Sequence, residues 1–265
     1  MKRLLLTVLF ALHAPTWADT LFPMPSVPDL TDGDGWTFAA GAGVEYGAEY
    51  DGSDEYGAEF EPAFAIQRRS GKGMWFFEEQ ELGWRGFLND AWILQGGMRY
   101  ELGREESEAQ ELEGLGDTDD EIVGMVEVRR AIGGNWRNWG AARLMAGGSE
   151  IGRLGVLAAG HTFAANEPGM GIDLFAFVTL ASSAFINRDF GVTPEQSEGS
   201  GLTVTDLDGG YRSVGIQAVG RWRFGDHLQL QAEAGYEKYN SDIADSPIAL
   251  RDYEAEIGVS LLYRF

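Results

Sequence analysis

The chain has 265 residues, no cysteine, three histidines and a formal net charge of −22 at pH 7. Without thiols it holds neither a disulfide nor a thiolate-bound metal, and a chain this acidic is repelled by nucleic acid, whose binding rests on neutralising phosphates. The mean hydropathy of −0.20 is that of a water-soluble protein, but an average hides strands that show lipid only every second residue.

The amino terminus reads as a secretory leader. Lys2 and Arg3 precede a short apolar run from Leu4 to Ala14, and Thr16-Trp17-Ala18 sets small residues for cleavage after Ala18. The run is shorter than the about 20 apolar residues of a spanning helix, and no later stretch supplies one. The expected organisation is a leader over 1–18, a short periplasmic segment over 19–35 and one β-barrel over 36–265. His13 leaves with the leader, so His161 and His227 remain, too few for a three-histidine zinc site.

From Trp36 onward the dominant pattern is alternation with a period of two, broken by turn residues. In 36–46, Trp36, Phe38, Ala40, Ala42, Val44 and Tyr46 alternate with Thr37, Gly41, Gly43 and Glu45. Strands at 57–69, 73–79 and 80–87 follow, the last two poorly alternating. In 91–102, Trp92, Leu94, Met98 and Tyr100 oppose Gln95, Arg99 and Glu101. Further strands fall at 120–131, 136–146, 152–162 and 172–182, with weak alternation in the second and third of these. In 211–224, Val214, Ile216, Ala218, Trp222 and Phe224 alternate with Gln217, Arg221 and Arg223. In 228–239, Leu228, Leu230, Ala232, Ala234 and Tyr236 oppose Gln229, Gln231, Glu233, Gly235 and Glu237. In 253–265, Ile257, Val259, Leu261, Tyr263 and Phe265 oppose Glu256, Gly258, Ser260 and Arg264, with Leu262 the exception.

In a soluble sandwich or a lipocalin-like barrel the apolar face turns inward around a core. Here the second face carries ionisable and small residues that suit a polar lumen, and aromatic residues gather near strand ends, where interfacial girdles belong. The expected fold class is all-β: a single antiparallel transmembrane β-barrel of about twelve strands in a Gram-negative outer membrane, both termini periplasmic. Its surroundings would be outer-membrane lipid and lipopolysaccharide. The last strand, ending at Phe265, would be the targeting signal read by the barrel-assembly machinery.

The connections agree with this orientation. Long segments at 103–119, 183–210 and 240–252 fall after odd-numbered strands and would face outward, while Ser70–Lys72, Leu88–Asp90, Gly133–Asn135 and Gly225–His227 make short periplasmic turns. A three-residue turn at Gly225–His227 sets Phe224 opposite Leu228, Arg223 opposite Gln229 and Arg221 opposite Gln231, with Glu233 diagonal to Arg221. A two-residue turn would set apolar residues against polar ones. Mixed signs at Arg221, Arg223, Glu233 and Glu237 imply charge pairing across the lumen and no wide pore.

Several short motifs carry a resemblance: Tyr50-Asp51-Gly52-Ser53-Asp54, Leu115-Gly116-Asp117, Phe190-Gly191-Val192-Thr193-Pro194 with Ser200-Gly201-Leu202, then Gly209-Gly210, Asp245-Ser246-Pro247 and the closing Tyr263-Arg264-Phe265. In this order and spacing the chain resembles the MltA-interacting protein/OmpV family of outer-membrane proteins from about Trp36 to its end. One departure is Asn187-Arg188-Asp189, where that family usually shows a Tyr/Ser-rich stretch. The resemblance implies a non-enzymatic scaffold that links a lytic transglycosylase to a murein synthase, or a surface antigen or adhesin. It implies no catalytic residues and no cofactor.

Other site classes are weaker. An acyl-modifying barrel enzyme needs a paired Ser and His on the lipid face, and neither His161 nor His227 has a compelling serine neighbour. Gly41-Ala42-Gly43 with Gly47 opens no helix, so it lacks the context of a dinucleotide motif. Asp206-Leu207-Asp208-Gly209 lacks the closing glutamate of a calcium loop. The alternative to a scaffold is a narrow diffusion or uptake channel lined by Glu45, Arg99, Glu101, Arg221 and Glu233. The topology also predicts that Asp51, Gly52, Ser53, Asp54, Gly116, Asp117, Gly191, Asp245, Ser246 and Pro247 meet on the outer rim. There they would form a ligand surface or a cap folded into the mouth, or simply serve as turn formers.

Overall fold

All twelve expected strands form, with ends displaced by at most two residues from those read off the alternation. The structure, a computed structural model, describes residues 33–78, 80–148, 151–163 and 169–265. The leader, its cleavage point after Ala18 and nearly all of the segment 19–35 lie outside the described residues. The strands are β1 (Gly35–Ala48), β2 (Tyr56–Ser70), β3 (Gly73–Glu78), β4 (Glu81–Asn89), β5 (Trp92–Glu101), β6 (Glu121–Ile132), β7 (Asn138–Ala146), β8 (Arg153–Phe163), β9 (Met170–Ala181), β10 (Gly210–Phe224), β11 (Leu228–Tyr239) and β12 (Tyr253–Arg264). Each pairs antiparallel with its sequence neighbours, and β12 closes against β1, so the sheet has no free edge. An even strand number returns the chain to the end where it entered, and the long connections all lie at the other end, which is outward in such barrels.

Lipid-facing residues carry the exposed apolar surface. Trp36, Phe38, Val44 and Tyr46 on β1 and Ile257, Val259, Leu261 and Tyr263 on β12 are all well exposed, as alternation requires. Tyr46, Tyr56, Tyr236 and Tyr253 form pairs near the outer ends of their strands, with ring centroids 5.9 and 5.6 Å apart. Near the inner ends Arg68 lies over Trp36 and Arg130 over Trp92, at 5.2 and 5.1 Å from the ring centroids. An aromatic ring with a cation beside it suits the headgroup layer, where one side is apolar and the other wet.

The β10–β11 register is the expected one. Phe224 pairs with Leu228, Arg223 with Gln229 and Arg221 with Gln231. Arg221 hydrogen-bonds Gln231 Oε1 at 3.3 Å and approaches Asp173 at 3.7 Å. Glu233 pairs with Val219 and packs against Gly258, which turns it toward β12.

The inner wall is divided. From β3 to β10 it is filled by side chains: Met74, Phe76, Trp139, Val156, Phe175 and Val219 are 0–2% exposed. Ion pairs thread through this packing. Arg143 Nη1 lies 2.9 Å from Glu81 and its Nη2 2.9 Å from Glu127, while Arg99 reaches Glu81 at 3.4 Å and Glu101 at 3.0 Å. Arg85 pairs with Glu78. From β11 through β12 and β1 to β2 the inward residues are small or polar, and most are only half-buried: Gln229, Gln231, Glu233, Gly258, Ser260, Glu59, Glu61, Ala63 and Gln67.

The segment at 183–210, expected as a long outward-facing connection, contains two helices: α1 (Ser183–Phe190) and α2 (Pro194–Ser200). A third short helix, α3 (Ser241–Ala244), lies in the last outer loop. Thr193 caps α2 with a reciprocal box to Gln196, Pro194 occupies its first turn, and Gly201 ends it at φ 78°.

Candidate functional site: a capped outer mouth

The outer loops fold over the mouth of the barrel. Phe185, Ile186 and Phe190 of α1 are buried, and they join the packing that continues down to Met145, Leu154 and Val156 on the wall. Above them Tyr50, Leu112, Leu115, Val192 and Ile248 make a second apolar cluster from four different loops. A cap is the outcome these contacts describe: loops that buried nothing would stand out in solvent.

Arg212 is the latch. A register shift between Tyr211 and Ser213 turns it inward at the start of β10. Its Nη2 lies 2.5 Å from Asp51 and its Nη1 2.8 Å from Glu237. Its guanidinium also faces the rings of Phe185, Phe190 and Tyr239 at 6.0, 5.7 and 5.1 Å. One buried cation therefore joins the first loop, α1 and the β10–β11 wall, and a guanidinium suits this task because its fork serves two carboxylates while its face stacks on rings.

Backbone carbonyls complete the closure. Arg104 Nη1 donates to Asp189 O at 3.0 Å, and Arg188 Nη2 donates to Leu102 O at 2.7 Å and Asp119 O at 3.3 Å. Gln196 Nε2 donates to Leu115 O at 2.8 Å. Ser246 Oγ donates to Phe190 O at 2.6 Å, and Arg251 N donates to Gly52 O at 2.9 Å.

The rim residues singled out in the sequence all lie in the outer loops, and only some of them contact one another's loops. Asp51 binds Arg212. Gly52, at φ 86°, packs against Ala249 and Phe190, where a Cβ would crowd both. Ser53 is buried and accepts from Glu55 N, whereas Asp54 is exposed. Gly116 N donates to Glu106, and Asp117 accepts from Glu106 N, so this pair shapes its own loop. Gly191 closes α1 through Asn187 O. Asp245 is exposed at the end of α3, Ser246 is buried on Phe190 O, and Pro247 is half-buried beside it. Phe265 stands apart at the opposite end, 75% exposed, its N donating to Phe38 O at 2.9 Å.

Other residues proved central without having been singled out as a site: Arg212, Arg104, Arg188 and Phe190. The departure Asn187-Arg188-Asp189 is where the cap is tied. Asn187 Nδ2 donates to Ser183 O, Asp206 Oδ1 and Leu207 O, and its Oδ1 accepts from Leu207 N. A capping-box signature at Thr193–Gln196 was available in the sequence to find α2. Nothing in the alternation announces the register shift that turns Arg212 inward.

Of the expected channel-lining residues, Arg99 and Glu101 belong to the ion-paired wall. Glu45 lies within electrostatic reach of Glu61, Glu256, Glu233 and Glu59, which gather on the four strands of the other wall. His161 Nδ1 is engaged with Asn138 Oδ1 and His227 Nδ1 with Arg264 O, both at 2.8 Å. Among the described residues no group of three or more His, Asp or Glu is placed to hold a metal ion.

Asp189 gives the cap a pH dependence. Loss of water around its carboxyl, with Asp51 nearby, pushes its pKa up from 3.8 to about 6 against the pull of Arg188, Arg212 and Arg104. An acid whose pKa is higher in the closed cap than in an open loop favours closure most when protonated. Closure is therefore helped fully below 3.8 and loses that help as the pH rises through about 6. Limited proteolysis of the outer loops should accelerate across that interval, and Asp189→Asn should flatten the profile. An equally steep profile in Asp189→Asn would show that another group is responsible.

A closed transmembrane barrel with an aromatic-rimmed lipid face and a polar lumen is a Gram-negative outer-membrane protein. Within that class the chain belongs to the family described as MltA-interacting protein MipA, which it matches over residues 40–265. No curated protein matches it. Among solved structures it is similar to a bacterial polysaccharide outer membrane secretin (10% identity, covering 88% of this chain and 99% of that one, TM-score 0.48). It is also similar to Pseudomonas putida OprB (9% identity, 88% and 94% covered, TM-score 0.45) and to the COG4313 outer membrane channel of Pseudomonas putida F1 (10% identity, 91% and 100% covered, TM-score 0.44). The fold assignment rests on the chain's own strand pairing.

Proposed function

We propose that the protein is a narrow outer-membrane channel, closed on the outside by its cap, that prefers small cationic or zwitterionic solutes. The observation that carries this is the divided lumen. One wall is packed to near-zero exposure, while the other is lined by half-buried small residues and by Glu59, Glu61 and Glu233. A platform without transport needs no such strip of accessible polar wall. Fixed carboxylates in a confined passage concentrate cations and repel anions. In planar bilayers under a salt gradient, the reversal potential should have the sign of a cation-preferring pore. Replacing Glu59, Glu61 and Glu233 by Gln should move it toward zero, and an anion-preferring pore would refute the assignment.

A second function rests on the family's description as MltA-interacting. A lytic transglycosylase and a murein synthase act on the periplasmic side, whereas the capped end faces outward. Contacts to them would use the periplasmic turns at 71–72, 90–91, 133–137 and 225–227. Substituting those turns should abolish co-purification of the transglycosylase without altering conductance. Loss of co-purification on removing the outer cap would argue against this orientation.

Insertion is a separate matter. The exposed aromatic end of β12 suits recognition by the barrel-assembly machinery, and Phe265→Ser should reduce the heat-modifiable, folded protein in the outer membrane. Unchanged levels would assign the targeting information elsewhere in the strand.

A further inference from the structure

Beneath the cap lies a cavity of about 200 Å³, bounded by both walls of the barrel. That is smaller than the roughly 300–1,000 Å³ of pockets for drug-sized ligands. Its charged lining falls into two groups: Arg104 and Arg188 with the Arg99–Glu101 pair on the β5 side, and Glu254 and Glu256 with the Arg212–Glu237 pair on the side of β10 to β12. In the closed twelve-strand order β5 and β11 are diametrically opposed.

Each pole holds a buried polar group whose hydrogen-bonding capacity is unused. Arg104 is 6% exposed; its Nη1 is spent on Asp189 O, and its Nε and Nη2 have no partner. Gln217 is 3% exposed; its Nε2 donates to Glu256 Oε1 at 3.4 Å, which orients the amide and leaves Oε1 without a donor. Leaving such groups unsatisfied in a protein interior is costly, so they mark a place where a ligand supplies what the chain does not. Adjacent guanidinium N–H groups in a fork match a carboxylate. An amide oxygen with the Glu256 carboxylate beside the same amide matches an ammonium group, which has three donors and no acceptor. Between the poles the lining includes Met145, Val156 and Phe177 beside Arg143.

We infer that this cavity binds a small zwitterion of amino-acid size, its carboxylate on Arg104 and its ammonium group at Gln217 and Glu256. The inference rests on the channel assignment only in treating the cavity as a station on the permeation path; binding itself needs no conduction. Calorimetry on the full protein in detergent tests it with glycine, γ-aminobutyrate and ε-aminocaproate, each against the carboxylate and the alkylammonium of equal chain length. At least one zwitterion should bind about tenfold more tightly than both of its singly charged counterparts, the ratio that about 1.4 kcal/mol of added interaction gives. Gln217→Leu together with Glu256→Gln, on the rigid wall, should bring that zwitterion down to the affinity of the carboxylate. Arg104→Gln should do the converse for the ammonium compound. Zwitterions that bind no better than single charges would overturn the inference. Conductance in bilayers without zwitterion binding would remove this site and leave the channel intact, and binding in a barrel that never conducts would do the reverse.

Discussion

Arg143→Met is expected to destabilise the barrel by about 3–5 kcal/mol, the usual consequence of removing one partner from a buried ion pair. Arg143 is 3% exposed and holds Glu81 and Glu127 together, each at 2.9 Å. Without it those two carboxylates would face each other in a packed interior. Glu81 would keep Arg99 at 3.4 Å, and Glu127 would keep Arg129 at 2.5 Å, so the fold should survive in weakened form. Urea or heat titration of the folded band on gels reads the effect. The triple change Arg143→Met, Glu81→Gln, Glu127→Gln should recover much of the loss, because it removes the stranded charges as well. A single variant as stable as the parent would mean that water reaches this wall and that the packed half of the lumen is not dry.

The fold was legible because a barrel wall writes itself as alternation, and the places where reading was hard have a physical cause. The third, fourth, seventh and eighth strands alternated poorly. Three of them turn apolar residues inward (Met74 and Phe76 on β3, Trp139, Ala141 and Met145 on β7, Leu154 and Val156 on β8), which fill the lumen instead of facing water, whereas β4 turns in Glu81, Gly83 and Arg85. With lipid on one side and an apolar filling on the other, both faces of a strand become apolar and the period-two signal fades. The same fading marks which half of the lumen is packed. The outer rim was legible in part. Loop order alone placed Asp51 near Ser246, since β12 closes against β1. The inward turn of Arg212 depends on an irregular register, and its partners Asp51 and Glu237 lie far from it in sequence, so no local pattern could reveal the latch. The helices of the fifth loop were hidden by length: α1 spans 8 residues and α2 spans 7, too short for a periodicity to emerge.

Removing the cap should have the largest effect on function. Gly210 pairs with Ala181 across β9 and β10, so the two strands can be joined directly by a tight glycine-rich turn in place of Ser183–Gly209. That change takes away α1, α2 and the rings of Phe185 and Phe190 that sit under Arg212. The wall itself keeps every strand pairing. Single-channel conductance should rise several-fold and become steady, while the cation preference set by Glu59, Glu61 and Glu233 should persist. Arg212→Met, which leaves the loop in place but frees Asp51 and Glu237, should give intermittent openings between the two limits.

The most direct measurement is therefore single-channel recording of the intact and capless proteins, side by side, in the same bilayers. The account predicts small or rare steps for the intact protein and large, cation-preferring steps once the cap is gone. A capless barrel that still conducts nothing would contradict it, because the accessible wall would then lead nowhere.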